Sequence, residues 1–183
     1  LLRLAGYLHD TGKYEAAVIK KGTLTFPDHE TLGEPAISDL KRLRFSTREI
    51  DHIDAVIRTH MRPLKPDSTP RAVRRLLAFL KSRNISWQTF MRMRIADKAA
   101  NLAKSPYTLS DIRLRVNKIK QELQDRNDDA FTLKDLALNG DDVMGILSIP
   151  RGRQVGQILR ELFERVLDQP ELNTKDELEK ICL

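Results

Sequence analysis

Apolar positions recur along most of this chain at spacings of three and four, which predicts amphipathic helices joined by polar breaks. The opening run, Leu1 to Lys13, is apolar with small residues at Ala5 and Gly6. It predicts a tightly packed helix that delivers His9 and Asp10 to its end, followed at once by a Thr11-Gly12-Lys13 turn. Only one stretch suits strands: Ala17-Val18-Ile19 and Thr23-Leu24-Thr25-Phe26 flank Lys20-Lys21-Gly22, a short hairpin with a glycine-containing turn. Pro27-Asp28 ends it, and His29-Glu30 opens a helical pattern through Ala36, Ile37, Leu40 and Leu43.

Further along, Ser46-Thr47-Arg48-Glu49 is a capping box for a helix carrying Ile50, Ile53, Val56 and Ile57 on one face. That helix ends by Pro63, and Ile53, Ile57 and His60 share a side, so His60 is expected to face the core. His52 lies about 80° from His60 on the helical wheel and is the histidine least suited to join it. Thr69-Pro70 supplies an N-cap and a first-turn proline for a helix with Val73, Leu76, Leu77 and Leu80. A long helix follows from Trp87 to about Ala103, with Phe90, Met91, Ile95, Ala99 and Leu102 as apolar positions and Asp97 among small alanines. Another runs from Asp111 to about Asp125.

Asn127-Asp128-Asp129 is a polar joint, and a domain boundary is expected there, dividing residues 1–126 from a tail over 130–183. In the tail, Thr132 to Asp135 is expected to cap a short helix that stops at Gly140, with Asp141 capping the next turn. Val155, Ile158, Leu159, Leu162, Phe163, Val166 and Leu167 form a strong apolar stripe, and Thr174 to Glu177 caps a closing helix. The fold class expected is therefore all-α, with at most one short β-hairpin and a smaller helical tail after the main domain. No internal repeat interrupts the pattern.

Composition supports a folded helical protein. The 183 residues are 40% apolar, 32% charged and only 5% aromatic. A net charge of +6 allows a polyanionic partner without requiring one. The single cysteine, Cys182, excludes an internal disulfide and fits a reducing, cytoplasmic setting. No apolar run approaches the length of a membrane span, so no membrane partner is expected. The chain opens inside an apolar helical run without a methionine, and the expectation is that it is part of a longer protein.

The candidate chemistry lies in His9, Asp10, His29, His60 and Asp97. An imidazole beside a carboxylate at the end of a rigid element suits a divalent ion such as Mn, Fe, Zn or Mg. The turn that follows offers backbone N–H groups and the Lys13 ammonium to a phosphate. A solvated His-Asp pair and a surface Asp97 are the plain alternatives.

This order of residues resembles the HD superfamily of metal-dependent phosphohydrolases, whose signature is a His, then His-Asp, then a distant Asp converging on one ion. The resemblance implies that His9, Asp10 and Asp97 are metal ligands; the first His of the signature would precede Leu1. A narrower resemblance covers nearly the whole chain. Leu8-His9-Asp10-Thr11-Gly12-Lys13, Phe26 before His29-Glu30 and Gly33, Arg42-Leu43-Arg44-Phe45-Ser46 and Thr59-His60-Met61-Arg62-Pro63 are similar to the bacterial-type tRNA nucleotidyltransferase and poly(A) polymerase family. So are Leu136 to Met144, Pro150-Arg151-Gly152 and Pro170 to Thr174.

That family's polymerising head carries a Gly-Ser turn and an Asp-x-Asp pair, and neither is present. The adjacent Asp141-Asp142 is explained by capping. The resemblance implies a region that grips tRNA, or another structured RNA, by shape and phosphate while a separate head adds C, A or CCA. Candidate RNA contacts are Arg113, Arg115, Lys118, Lys120, Lys134, Arg151 and Arg153. A second implied activity is hydrolysis of phosphomonoesters or cyclic phosphodiesters, with His9, Asp10 and Asp97 holding the metal, Lys13 neutralising a nucleotide phosphate, and His29 or His60 orienting it or acting as acid. The third alternative is a non-catalytic helical scaffold. Oligomeric state is left open.

Overall fold

The computed structural model describes residues 1–101, 105–124 and 131–183, which fold as two compact units. One comprises residues 1–67 and 79–119; the other comprises 68–78 and 120–183. The expected boundary at Asn127-Asp128-Asp129 lies outside the described residues, as do Leu102, Ala103 and Asp125.

In the first unit, α1 (Leu2–Leu8) and α2 (Lys13–Ala16) are joined by the His9-to-Gly12 turn. A hairpin follows, β1 (Val18–Lys20) and β2 (Thr23–Thr25), paired antiparallel with Ile19 opposite Leu24. Lys21 and Gly22 both take positive φ, 49° and 74°, the pair of left-handed positions that closes a two-residue hairpin. Among the described residues it is the only sheet, so the architecture is all-α with one small hairpin, as the periodicity implies.

The helical pattern beginning at His29 is not continuous. His29–Thr31 forms a single 3-10 turn, the chain bends at Leu32, and α3 (Glu34–Arg42) restarts after Gly33 with Pro35 in its first turn. That proline lacks an N–H and favours a fresh helix start over continuation. The capping box forms as expected on α4 (Thr47–Thr59): Ser46 Oγ accepts from Glu49 N, and the Glu49 carboxylate accepts from Ser46 N at 2.9 Å.

Both α1 and α6 (Trp87–Ala100) pack against α4. The core of this unit is built on Ala5, Leu40, Ile53, Val56, Ile57 and Phe90, all at most 2% exposed. Burying a side chain such as Ile53 or Phe90 contributes about 1.5–3 kcal/mol. Ala5 is fully buried, so α1 approaches its neighbours closely, yet Tyr7 on the same helix is 84% exposed. The opening helix is thus one-sided rather than wholly interior.

The helix α5 (Pro70–Ser82) gives residues through Ala78 to the second unit and the rest to the first. Thr69 Oγ1 accepts from Ala72 N and caps it. Likewise α7 (Leu109–Gln124) divides at Ile119. The second unit also contains α8 (Gly140–Leu147), α9 (Arg153–Asp168) and α10 (Lys175–Cys182) around Leu138, Val143, Leu162, Val166, Leu167 and Leu178.

Here one cap differs from expectation. Thr132 to Asp135 is a capped 3-10 turn, and Gly140 begins a helix instead of ending one. Asn139 is the N-cap, its Oδ1 accepting from Asp141 N and Asp142 N, while the Asp142 carboxylate accepts from Asn139 N. Asparagine two residues earlier offers the acceptor that Asp141 was expected to supply. No helix among the described residues is long and apolar enough to cross a membrane.

Candidate functional site

The end of α1, the turn at His29, the end of α4 and the last turn of α6 bring five polar side chains together in the first unit. His9 Nε2 lies 3.3 Å from Asp10 Oδ1 and 3.4 Å from Asp97 Oδ1. His29 Nε2 lies 3.3 Å from the same Asp10 oxygen. The His60 ring stands edge-on to both other imidazoles, with centroids 4.9 Å from His9 and 5.2 Å from His29. Donor atoms of His9, Asp10 and His60 all fall within 4.8 Å of one another. His52 is not part of this group.

All three rings are held the same way. Each Nδ1 meets the carbonyl oxygen three residues earlier: His9 with Gly6 at 2.7 Å, His29 with Phe26 at 3.0 Å, His60 with Ile57 at 2.6 Å. A carbonyl can only accept, so Nδ1 of each ring carries a proton and Nε2 is the nitrogen turned toward the cluster. Backbone bonds of this kind fix tautomer and ring orientation in metal-binding histidines. His29 is 4% exposed and its Nε2 makes no hydrogen bond among the described residues. Lone pairs facing carboxylate oxygens repel unless a proton or a cation lies between them. The donor set of imidazole nitrogens and carboxylates therefore fits a borderline divalent ion.

The imidazoles form the interior of the cluster and the carboxylates its mouth. Side-chain exposure is 14% for His9 but 39% for Asp10 and 33% for Asp97. Burial holds His60 below the ordinary imidazole range, outweighing its hydrogen bond to Ile57. For Asp10, burial pushes upward, but the hydrogen bond from Lys13 and the charges of His9, Lys13 and His29 outweigh it and hold the carboxyl below its ordinary value.

Lys13 Nζ donates to Asp10 Oδ2 at 2.6 Å. The turn that carries it is tight: Thr11 N donates to Leu8 O and Lys13 N to Asp10 O, so these backbone donors are already used. The notion of free turn amides for a phosphate is corrected to that extent, and Lys13 alone contributes a cation. Gly12 is required there, since a Cβ would stand 2.2 Å from His29 O. Glycine thus lets the His9-Asp10 turn lie against the His29 turn.

Of the residues expected to contact RNA, Arg113, Lys120, Lys134, Arg151 and Arg153 are exposed and Lys118 is half-buried. Arg115 is a correction. It is 8% exposed, its Nε donates to Leu64 O at 3.0 Å, and its guanidinium lies over the Tyr107 ring at 4.3 Å. An arginine so placed braces the fold, with Nε committed to Leu64 O and Nη1 to Asp111 O.

Two residues bearing on the cluster escaped sequence reasoning. Arg94 Nη1 donates to His60 O at 2.9 Å, and Arg94 Nη2 donates to the Tyr107 hydroxyl at 3.3 Å. Arg94 precedes Asp97 by one helical turn, and that spacing was the signal available.

Comparison with known proteins adds one match. Residues 31–182 fit the family model described as tRNA nucleotidyltransferase domain 2. No curated protein and no solved structure matches the chain. The matched stretch contains His60, Asp97 and the described second unit as far as Cys182, and it starts beyond His9, Asp10 and His29. Since it spans well over half of the sequence, the chain belongs to the tRNA nucleotidyltransferase domain 2 family.

Proposed function

We propose that this chain is the region of a tRNA nucleotidyltransferase that holds tRNA while a separate catalytic head adds the terminal nucleotides. The observation that carries this reading is the family match over residues 31–182. The net charge of +6 agrees with it, as do the exposed cations Lys134, Arg151 and Arg153. Structured RNA presents phosphates and 2′-hydroxyls rather than readable base edges, so arginine and lysine would do most of the positioning. Titration of tRNA onto the protein at rising salt tests it. Affinity should fall with salt along a straight log–log line. Binding that ignores salt, or no binding, would refute the assignment.

A second activity, hydrolysis of phosphate esters at an HD-type metal site, is favoured by the convergence of His9, Asp10, His29, His60 and Asp97. In this reading His9, Asp10 and Asp97 hold a divalent ion, with the buried Nε2 atoms of His60 and His29 at hand. An ion so bound would acidify a coordinated water and polarise a phosphoryl oxygen. Lys13 would neutralise phosphate charge at the mouth of the cluster. His29 would orient the ester or donate a proton to its leaving oxygen, while His60 Nε2 would face the ion. Metal uptake measured by mass spectrometry, with hydrolysis followed in the wild type and in His9→Ala, tests this. Absence of bound metal in an intact fold would favour a purely structural polar core.

A further inference from the structure

His60 lies just past the last residue of α4, where helical hydrogen bonding gives out. Its own N–H reaches Ile57 O at 3.4 Å, a long contact, and that same oxygen also receives the His60 ring at 2.6 Å. Pro63, three residues on, has no N–H to donate. The local backbone thus orients the ring through Ile57 O and closes one turn with Arg62 N on Thr59 O at 3.0 Å, and the ring, 1% exposed, sits between two other imidazoles.

A second hold, on the carbonyl of His60, comes from distant sequence. Arg94 Nη1 donates to His60 O at 2.9 Å, and Arg115 Nε donates to Leu64 O at 3.0 Å. Both guanidiniums engage Tyr107: Arg94 Nη2 donates to its hydroxyl at 3.3 Å, and Arg115 lies over its ring at 4.3 Å. Arg115 is anchored in turn by Nη1 on Asp111 O at 2.9 Å. The segment from His60 to Leu64 is therefore tied at both ends to one guanidinium–phenol–guanidinium unit.

We propose that Arg94, Tyr107 and Arg115 form a clamp that positions His60 for cation binding, with Arg94 as its principal positioning residue. The inference rests on reading the imidazole cluster as a cation site. Arg94 and Asp97 stand one turn apart on α6, so a single rigid helix sets both the His60 backbone and the Asp97 carboxylate. Ligand spacing then depends on that helix and not on the loop that follows α4.

Titration of the whole chain with Co(II), read by its visible absorption and by calorimetry, tests the clamp. Wild type should take up Co(II), and His60→Ala should change the band shape. Arg94→Met should move the spectrum in the same direction and weaken affinity about ten-fold or more, while Arg94→Lys, which keeps a donor for His60 O, recovers part of the loss. Far-ultraviolet circular dichroism reports whether each variant folds. If Arg94→Met does not, Tyr107→Phe decides instead, because it keeps the ring stack and removes only the hydroxyl that accepts from Arg94. Wild-type affinity and spectrum in a folded Arg94→Met, or in Tyr107→Phe, would overturn the clamp and leave the cation site standing. Failure of the wild type to take up Co(II) would remove both.

Discussion

His9 Nε2 and Asp97 Oδ1 stand 3.4 Å apart, joining the residue that caps α1 to the last turn of α6. His9 Nδ1 is committed to Gly6 O, so the nitrogen facing Asp97 is the one free to share a proton or a cation. Asp97→Asn should therefore weaken divalent-ion binding sharply while keeping side-chain volume. A loss of more than about ten-fold is expected, since even outer partners of metal ligands carry that much. Isothermal titration with Mn(II) checks it. An unchanged constant would remove Asp97 from the site.

The second expectation concerns Gly12. A Cβ there would meet His29 O at 2.2 Å and Leu32 backbone and side-chain carbons at 3.1 Å. The obstructing atoms are mainly backbone, so neither turn can yield by rotating a side chain. Gly12→Ala should cost about 1–3 kcal/mol in stability, the usual range for overpacking. It should also separate His29 from Asp10, with a matching loss of ion affinity. Urea denaturation followed by the same Mn(II) titration measures both. A stable variant with full affinity would show that the two turns need not touch.

Much of the frame was legible. Ser46 to Glu49, Thr69-Pro70 and Thr174 to Glu177 encode their caps locally, and a cap needs only a few neighbouring residues to form. The hairpin turn was equally local. Harder to see was the break between His29 and α3, because apolar spacing continues through a bend that Gly33 and Pro35 impose. The inward placement of His60 followed from its position on the helical wheel. The manner of holding the three rings did not, since each depends on a carbonyl three residues back presented by a turn or a helix end. Arg115 was misread for a related reason: a basic residue on a charged helix looks solvated until Leu64 O and Tyr107 come in from distant sequence.

Capping carboxylates make stability dependent on acid. Hydrogen bonds from Ser46 hold Glu49 below its ordinary value, those from Thr108 do the same for Asp111, and Asn139 N does so for Asp142. A carboxyl with a lower pKa in the folded state stabilises the fold above its unfolded value and ceases to do so as pH falls through the folded one. Stability should accordingly begin to fall as pH drops through about 6.5, where the unfolded chain's His60 takes up a proton that the buried ring resists, and fall further below about pH 4.5 as the carboxylates protonate. Glu49→Gln should lower stability slightly at neutral pH and flatten the carboxylate part of the acid limb to match, because the contribution it removes is the one that acid removes in the wild type. Thermal melts from pH 3 to pH 7 show it, and an acid limb as steep as wild type would count against the Glu49 contribution.

The exposed and buried arginines should separate cleanly in RNA binding. Arg151 and Arg153 are exposed where the chain enters α9, whereas Arg115 is 8% exposed and bound to Leu64 O. If the second unit grips phosphates, Arg151→Ala with Arg153→Ala should weaken tRNA binding and reduce the log–log salt slope by roughly one for each phosphate no longer neutralised. Melting temperature should hardly move, because neither side chain is buried. Arg115→Ala should do the opposite: it leaves a buried carbonyl without its donor and lowers melting temperature, while the salt slope of the folded protein stays that of wild type. Filter binding across a salt series, beside melts of the same preparations, distinguishes the two. A salt slope unchanged by the double substitution would take the entry to α9 out of the RNA-contacting surface, whereas a reduced slope in folded Arg115→Ala would mean that its bracing bonds open to admit a phosphate.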